Sequence, residues 1–313
     1  MRGFSRFAWA VLAANVAVIT WGALVRATGS GAGCGQHWPT CRGEVVPRSP
    51  ALETVIELTH RTTSALVLVL VVALLVWAWR VFPRGHAVRR TAVLTVVFMV
   101  LEALLGAALV LFGWVAKDAS AARLVVMPLH LTNTLLLLAS ITLTAAWAHE
   151  HGGLGRPEQR RGGGLLAAAA IAMIVVGITG AFAALGDTLF PATSFGDGLK
   201  QDLAAGSHVV LRLRILHPVA SAVGAALLAT AAVLAPRRRP DPAVRRAGTV
   251  LLALVLIQLA AGALNLYLLA PVWMQLVHLV LADLTWVALV VLASMALGKG
   301  RQAEGVVGSV AAA

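Results

Sequence analysis

Residues 58–80 read LTHRTTSALVLVLVVALLVWAWR, and this stretch decides the class of fold. It is longer than the about 20 residues that a helix needs to cross a bilayer. No charged side chain occurs between Ala65 and Trp79. Near one end, however, lies His60. Ionisable groups inside membrane spans are costly and commonly functional, so the stretch predicts a transmembrane helix that carries a functional histidine.

The composition of the whole chain agrees with this stretch. Hydrophobic residues make up 59% and charged residues 12% of the 313 residues, whereas soluble domains carry about 25% charged residues. The net charge of +12 does not indicate nucleic-acid binding, because the basic residues form short clusters without a continuous basic face. We therefore expect an all-α integral membrane protein in a lipid bilayer, with seven further helices near 8–25, 91–115, 124–148, 165–186, 209–235, 247–270 and 271–297.

The basic residues also predict the topology. Sixteen of the 25 lysines and arginines lie at the termini or in the loops after the second, fourth and sixth spans. Basic residues favour the cytoplasmic side, so we expect a multi-pass cell-membrane protein with both termini cytoplasmic. Arg26 follows the first span where a small-residue cleavage site would be needed, so that span is expected to be retained. Residues 299–313 are predicted to be a disordered cytoplasmic tail.

The sequence contains an internal repeat of four helices. His60 recurs as His217 and His130 as His278, with the same kinds of neighbours. Glycines recur as well, and the pairs are Gly22 with Gly180, Gly29 with Gly186 and Gly106 with Gly262. The repeat predicts two related four-helix bundles, an N-terminal one in 1–155 with an outer loop at 26–57, and a C-terminal one in 156–298. Small residues in these helices favour close helix packing.

The four repeated histidines all lie near the outer ends of even-numbered spans. One such residue is usually a hydrogen-bonded histidine between helices, but four at matched depth indicate paired ligands. Paired histidines on facing helices of a bundle hold b-type haem. Zinc is a weaker candidate because it normally takes three or four ligands. Pairing within each half gives two haem sites, His60 with His130 and His217 with His278.

Both cysteines, Cys34 and Cys41, lie in the first outer loop. The outer side is oxidising in bacterial-type membranes, so a disulfide is favoured. The segment CGQHWPTC also offers His37, which leaves a partial metal site as an alternative, and a redox-active cysteine pair is a third.

Acidic residues differ between the two halves. Glu57 precedes His60 by one helical turn on the same face, whereas Arg214 takes the matching place in the second half. Glu57 is a candidate proton carrier beside a haem edge, or else an acid favoured at the start of a helix by the macrodipole. Glu102 and Asp283 are expected to make structural hydrogen bonds between helices.

The sequence closely resembles the haem A synthase family. The resemblance is carried by WGALVRATGSGAGC at 21–34, by WPTC at 38–41 and by Glu57-x-x-His60-Arg61, and it extends over about 7–297. It implies oxidation of the haem O ring methyl to the formyl group of haem A by successive hydroxylations, for terminal oxidases. It also implies Glu57 as a catalytic residue, and it matches Cys34 and Cys41 to the family's cysteine pair.

The resemblance also implies a role for each half. The first half would hold the substrate haem between His60 and His130, and the second a permanent haem b between His217 and His278 as an electron relay. Haem propionates need cationic partners, for which Arg26 and Arg61 are candidates in the first half and Arg212 and Arg214 in the second.

Other partners and functions follow less directly. Haem O synthase and an electron donor or acceptor are candidate partners, and a homo-oligomer is compatible with the sequence. The main alternative function is a membrane bis-haem b-type cytochrome that transfers electrons without changing haem. A repeat-built transporter is weaker, because the spans lack breaks near the bilayer centre.

Overall fold

The computed structural model describes residues 1–148, 153–155 and 162–298, and eight segments in this part are long and apolar enough to cross a membrane. This confirms the predicted all-α membrane fold with eight spans. The helices are α1 (Arg2–Ala27), α2 (Leu52–Val81), α3 (Ala87–Leu111), α4 (Ala121–Trp147), α5 (Gly163–Leu189), α6 (Phe195–Leu203), α7 (Val209–Arg214), α8 (Leu216–Arg238), α9 (Pro242–Tyr267) and α10 (Val272–Leu297). The short helix α6 lies in a loop, and α7 and α8 together form the sixth span.

The helices form two bundles, as the repeat predicts. In the first half (α1 to α4), each helix packs against the next, and α4 closes the ring against α1. In the second half (α5 to α10), the ring consists of α5, α8, α9 and α10. The halves meet through α1 and α4 on one side and α5 and α10 on the other. One buried bond across this interface is donated by the indole N–H of Trp286 to the carbonyl of Leu135 at 2.7 Å.

Two spans end earlier than the apolar pattern predicts. The predicted spans 91–115 and 247–270 stop at Leu111 and Tyr267, because a left-handed residue follows each helix. Gly113 has φ +70°, and the N–H of Trp114 then bonds to the carbonyl of Leu109 at 2.8 Å. This arrangement is the Schellman C-cap, which satisfies the last carbonyls of a helix. In α9 the left-handed place is taken by Leu269, with φ +60°.

The sixth span is divided at Ile215, next to a predicted ligand. Pro218 has no N–H to donate to the carbonyl of Arg214, which interrupts the helical hydrogen bonding. His217 therefore lies at the start of α8, one residue before this proline. The break is close to the N-terminal end of the span, so the middle of the span is a continuous helix.

Two larger loops lie at the end of the bundles where the even-numbered spans begin. The cysteine loop (residues 28–51) joins α1 to α2, and the second loop (residues 190–208) joins α5 to α7 and contains α6. Ser194 caps α6 by accepting the N–H of Asp197 at 3.1 Å. The N–H and the hydroxyl of Thr193 donate to the Asp197 carboxylate, which lowers the pKa of Asp197.

Some sequence predictions concern residues outside the described part of the chain. They are the disordered tail at 299–313 and several basic residues that entered the topology argument, Arg156, Arg160, Arg161, Lys299 and Arg301. The predicted boundary between the halves at 155 and 156 falls at the edge of a described segment.

Candidate functional site

The four repeated histidines lie at a common depth. Each is six to nine residues from the start of its span, which corresponds to about 9–14 Å along a helix. In the first half, α2 and α4 are diagonal members of the ring and are separated by α1 and α3. The histidines on them, His60 and His130, therefore belong to opposite walls of one bundle. The same relation holds for His217 on α8 and His278 on α10.

Every one of these histidine rings lies against a glycine of a neighbouring helix. A Cβ atom placed on the glycine would come within 3.8 Å of the ring in all four cases, and within about 3 Å in three of them. In these three pairs, a residue without a side chain lets the imidazole occupy this space, whereas the fourth distance is an ordinary contact. The pairs are Gly22 with His60 at 2.9 Å, Gly106 with His130 at 3.8 Å, Gly180 with His217 at 3.1 Å and Gly262 with His278 at 3.0 Å.

In the second half the two imidazoles approach each other directly. The ring centres of His217 and His278 are 6.4 Å apart, with an angle of 87° between the planes. The Nδ1 of His217 lies 3.3 Å from the hydroxyl of Thr179. The Nδ1 of His278 is buried and has no hydrogen-bond partner. Two such rings can face a common atom that lies between them.

In the first half both histidines have a buried Nδ1 without a well-formed hydrogen bond. A carboxylate oxygen of Glu102 lies 3.1 Å from the Nδ1 of His130, but the ring has to turn for its N–H to point at that oxygen. Glu102 also accepts hydrogen bonds from Asn133 and Thr134 on α4. The expected bonds between helices are thus present for Glu102, whereas Oδ2 of the buried Asp283 has no partner.

The histidine pairs fit a haem iron better than a structural metal ion. Metal–imidazole bonds are about 2 Å long, so an iron between two rings separates their centres by about 6 Å. The 6.4 Å observed in the second half agrees with this separation. Across the described residues, no three His, Cys, Asp or Glu side chains come together in a way that could hold an ion. Two histidine side chains per half match the ligand set of bis-histidine haem and fall short of the set that zinc takes.

Glu57 lies under the cysteine loop. It is 2% exposed, and one oxygen accepts the backbone N–H of Cys34 at 2.7 Å. The other oxygen accepts a hydrogen bond from the guanidinium of Arg61. A further hydrogen bond between α2 and the loop is donated by the hydroxyl of Thr54 to the carbonyl of Gly33 at 2.8 Å. Glu57 therefore fixes the loop to α2, one turn from His60.

The cysteine loop is closed by the favoured pairing. Cys34 and Cys41 form a disulfide and both are fully buried. The disulfide is thereby confirmed, and the alternative of a metal site at these cysteines is wrong, because their sulfurs are bonded to each other. Arg61 also holds this loop, since it donates to the carbonyl of His37 at 2.6 Å and to that of Thr40 at 2.8 Å.

The other three candidate arginines are also bonded to protein groups. Arg26 reaches from α1 into the second half, where it donates to the carbonyl of Ala184, to Thr188 and to Gln275. Arg212 donates to a backbone carbonyl of the second loop. Arg214 pairs with Asp187 and Asp202. A guanidinium has five N–H donors, so these contacts are compatible with additional bonds to haem propionates. The propionate role of the arginines stays a prediction.

Arg123 is a buried arginine near the candidate site that the sequence pattern did not single out. It lies seven residues before His130 on α4, so the two residues share a helix face. It is 2% exposed, donates to the carbonyls of Ala116 and Asp118, and has a buried Nε without a partner. The spacing of seven residues between Arg123 and His130 was the feature of the sequence that could have identified it.

His208 has a structural role. It accepts the N–H of Val210 as the cap of α7, and its ring packs against that of Phe190.

Comparison with known proteins identifies the family. The COX15-CtaA family, described as cytochrome oxidase assembly protein, matches residues 5–290. The chain is 49% identical, over 94% of its length and 48% of the relative, to a Thermus thermophilus protein named protoheme IX farnesyltransferase. It is 39% identical to a heme A synthase of Halalkalibacterium halodurans, over 44% of this chain and 43% of the relative. A heme A synthase of Shouchella clausii is 41% identical over 42% of each chain.

These matches differ in extent. The chain spans about half the length of the curated relatives that it matches first. The family match covers nearly the whole chain and includes all four histidines, Glu57 and both cysteines. The protein therefore belongs to the cytochrome oxidase assembly protein family.

Proposed function

We propose that this protein is a haem A synthase, an oxidoreductase that converts the ring methyl of haem O to the formyl group of haem A. The observation that carries the proposal is the difference between two otherwise similar bundles. Both halves have a histidine pair set against glycines. Only the first half adds a buried Glu57 and a disulfide-closed loop over its pair. An electron-transfer cytochrome with two haems needs the histidines but has no use for these additions.

The first half is proposed to bind the substrate. His60 and His130 are the axial ligands of haem O, and two imidazoles fill both axial positions of its iron. The methyl group is therefore oxidised at the edge of the macrocycle, through a hydroxylated carbon and a geminal diol that loses water. With water as the source of the oxygen, the methyl-to-formyl change releases four protons and four electrons, and the electrons pass to an external electron acceptor. The glycines Gly22 and Gly106 leave room for the rings that hold the substrate.

Glu57 is proposed to accept protons released at the substrate. Its carboxylate is held in place by the N–H of Cys34 and by Arg61, one turn from His60. A positioned general base typically contributes 10²–10⁴-fold to a rate. The disulfide supports this position, because the donor to one Glu57 oxygen is the backbone of a bridged cysteine.

The second half is proposed to hold a permanent haem b between His217 and His278. When bound, haem b supplies one-electron redox chemistry. The chain's contribution is to hold the two imidazoles 6.4 Å apart and to keep the site inside the bundle. The ion-paired Arg214 and the neighbouring Arg212 lie at the outer end of this half, where propionates would emerge, as Arg61 and Arg26 do for the first half.

The proposal includes orientation and partners. Both termini are cytoplasmic in a cell membrane, so the cysteine loop and the second loop face outward, where the disulfide is stable. Haem O synthase would supply the substrate, and an electron acceptor would take the electrons. The relative named protoheme IX farnesyltransferase is matched over less than half of its length, so its name gives no separate function to this chain.

The test is to express the protein with a source of haem O, extract the pigments and identify them by mass. We expect haem A from the wild type. Glu57→Gln should retain both haems while haem A formation falls by about 10²–10⁴-fold. Glu53→Gln is the matched control, because Glu53 lies one turn earlier on α2 but is exposed, and its rate should be normal. Unchanged haem O from a wild type that carries its haem b would favour the cytochrome instead.

A further inference from the structure

Glu102 is a carboxylate beside His130, which is a proposed haem ligand. The proposed reaction assigns no role to Glu102. It lies on α3 inside the membrane span. The amide of Asn133 donates to one of its oxygens at 2.6 Å. The hydroxyl of Thr134 donates to the other at 2.5 Å, and this second oxygen lies 3.1 Å from the Nδ1 of His130. The carboxylate is thus held by donors of α4 and faces the ring of a histidine on that same helix.

The second half lacks this arrangement. The repeat places Gln258 where the first half has Glu102, and Leu281 and Ala282 where it has Asn133 and Thr134. Neither Leu281 nor Ala282 has a side-chain donor. The amide nitrogen of Gln258 lies 3.4 Å from Nε2 of His278, and its buried oxygen has no partner. Of the two histidine pairs, therefore, only that of the first half has a carboxylate beside an imidazole Nδ1, namely Glu102 beside His130.

We propose that Glu102 is a positioning residue for His130, and that it lowers the reduction potential of the first-half haem below that of the second-half haem. The inference rests on the proposed function in taking His130 as an iron ligand. Histidine ligands usually donate their second ring N–H to a carboxylate or carbonyl, which fixes the ring and makes it a stronger donor. A stronger donor stabilises ferric iron, and hydrogen bonding around the ligands is one way in which proteins tune haem potentials.

The consequence is an ordered pair of sites. At a potential between the two midpoints, the first-half iron is ferric while the second-half iron is ferrous. The two bundles can then hold chemically similar haems through the same ligands and still differ in their redox equilibrium. The difference comes from one side chain on α3 and the two α4 donors that hold it.

The experiment compares the two halves in the purified full-length protein by spectroelectrochemical titration. The first half is measured in a His278→Ala background to which haem O is added without oxygen, so that one haem titrates. The second half is measured in protein made without haem O. We expect Glu102→Gln to lower the ferric-to-ferrous ratio of the first-half haem about tenfold at a fixed potential, which is about 59 mV for one electron. The second-half haem should titrate as in the wild type.

Thr134→Val is the matched variant with the opposite expected sign. It removes the competing donor to the oxygen that faces His130 and changes no charge. That oxygen then accepts a hydrogen bond from the imidazole of His130 alone. The ferric-to-ferrous ratio of the first-half haem should therefore rise severalfold at a fixed potential. Damage to the fold would not move the two variants in opposite directions.

The outcomes separate the two proposals. If haem O does not bind to the first half of the His278→Ala protein, the proposed function fails. If haem O binds and Glu102→Gln leaves its potential unchanged, the positioning role is wrong and the proposed function stands. If Glu102→Gln loses the first-half haem while the second half keeps its own, Thr134→Val decides: a ferric shift supports the role, and no shift overturns it.

Discussion

The two halves share a scaffold and differ in the surroundings of their histidines. Each half sets two imidazoles against glycines near the same end of a four-helix bundle. The first half covers this end with a disulfide loop tied to Glu57 and adds Glu102 beside His130. The second half has a loop with a short helix, held by the ion pairs of Arg214. Under the proposed function, the repeated histidines bind haem in both halves, and the features that only the first half has support the reaction.

The largest expected effect is the selective loss of one haem. His278→Ala should abolish the b-type spectrum of protein made without haem O, because a single imidazole remains in that half. His60→Ala should leave this spectrum intact and remove the binding of added haem O. Absorbance spectra of the purified variants measure both. A full b-type spectrum in His278→Ala and His217→Ala alike would break the assignment of haem b to the second half.

Removing the disulfide should affect the first half more than the second. Closing a loop of this size stabilises by about 2–3 kcal/mol on the loop-entropy argument. Cys34→Ser with Cys41→Ser should lower the stability of the loop and loosen the bond from the Cys34 N–H to Glu57. The measurement is the retention of haem O and of haem b during heating in detergent. Equal losses of both haems would mean that the loop has no particular link to the first site.

The glycines offer a graded test within one half. Gly22→Ala places a Cβ 2.9 Å from the ring of His60, whereas Gly106→Ala places one 3.8 Å from the ring of His130, an ordinary contact. Overpacking in a tight site costs about 1–3 kcal/mol. We expect Gly22→Ala to weaken haem O binding about tenfold, which is about 1.4 kcal/mol, and Gly106→Ala to change it little. Titration with haem O measures both, and equal effects would argue against a steric role for Gly22.

The smallest expected effect concerns the caps of α3 and α9. Gly113 and Leu269 take the same left-handed place in the two halves. A left-handed residue with a side chain costs about 1–2 kcal/mol. Leu269→Gly should therefore raise the midpoint of thermal unfolding slightly, and Gly113→Ala should lower it. A lower midpoint for Leu269→Gly would show that its side chain stabilises the loop by more than the backbone strain costs.

The sequence by itself determined the membrane class, the eight spans, the repeat and the candidate ligands. Long uncharged runs such as 65–79 leave a chain few alternatives to a spanning helix, and histidines at repeated positions stand out in such runs. The disulfide was also predictable, because the chain has two cysteines and both lie in one short loop. These features depend on local composition and on spacing, which can be read along the chain.

Tertiary structure decided what each polar side chain contacts. Arg26 lies in the last turn of α1, yet it bonds to the second half, because α1 lies at the interface between the bundles. Glu57 is fixed by a backbone N–H 23 residues away, and Glu102 by donors on the next helix. Helix ends at Leu111 and Tyr267 depended on backbone conformations that hydropathy does not record. Such contacts join distant parts of the chain, so only the packing of the helices fixes them.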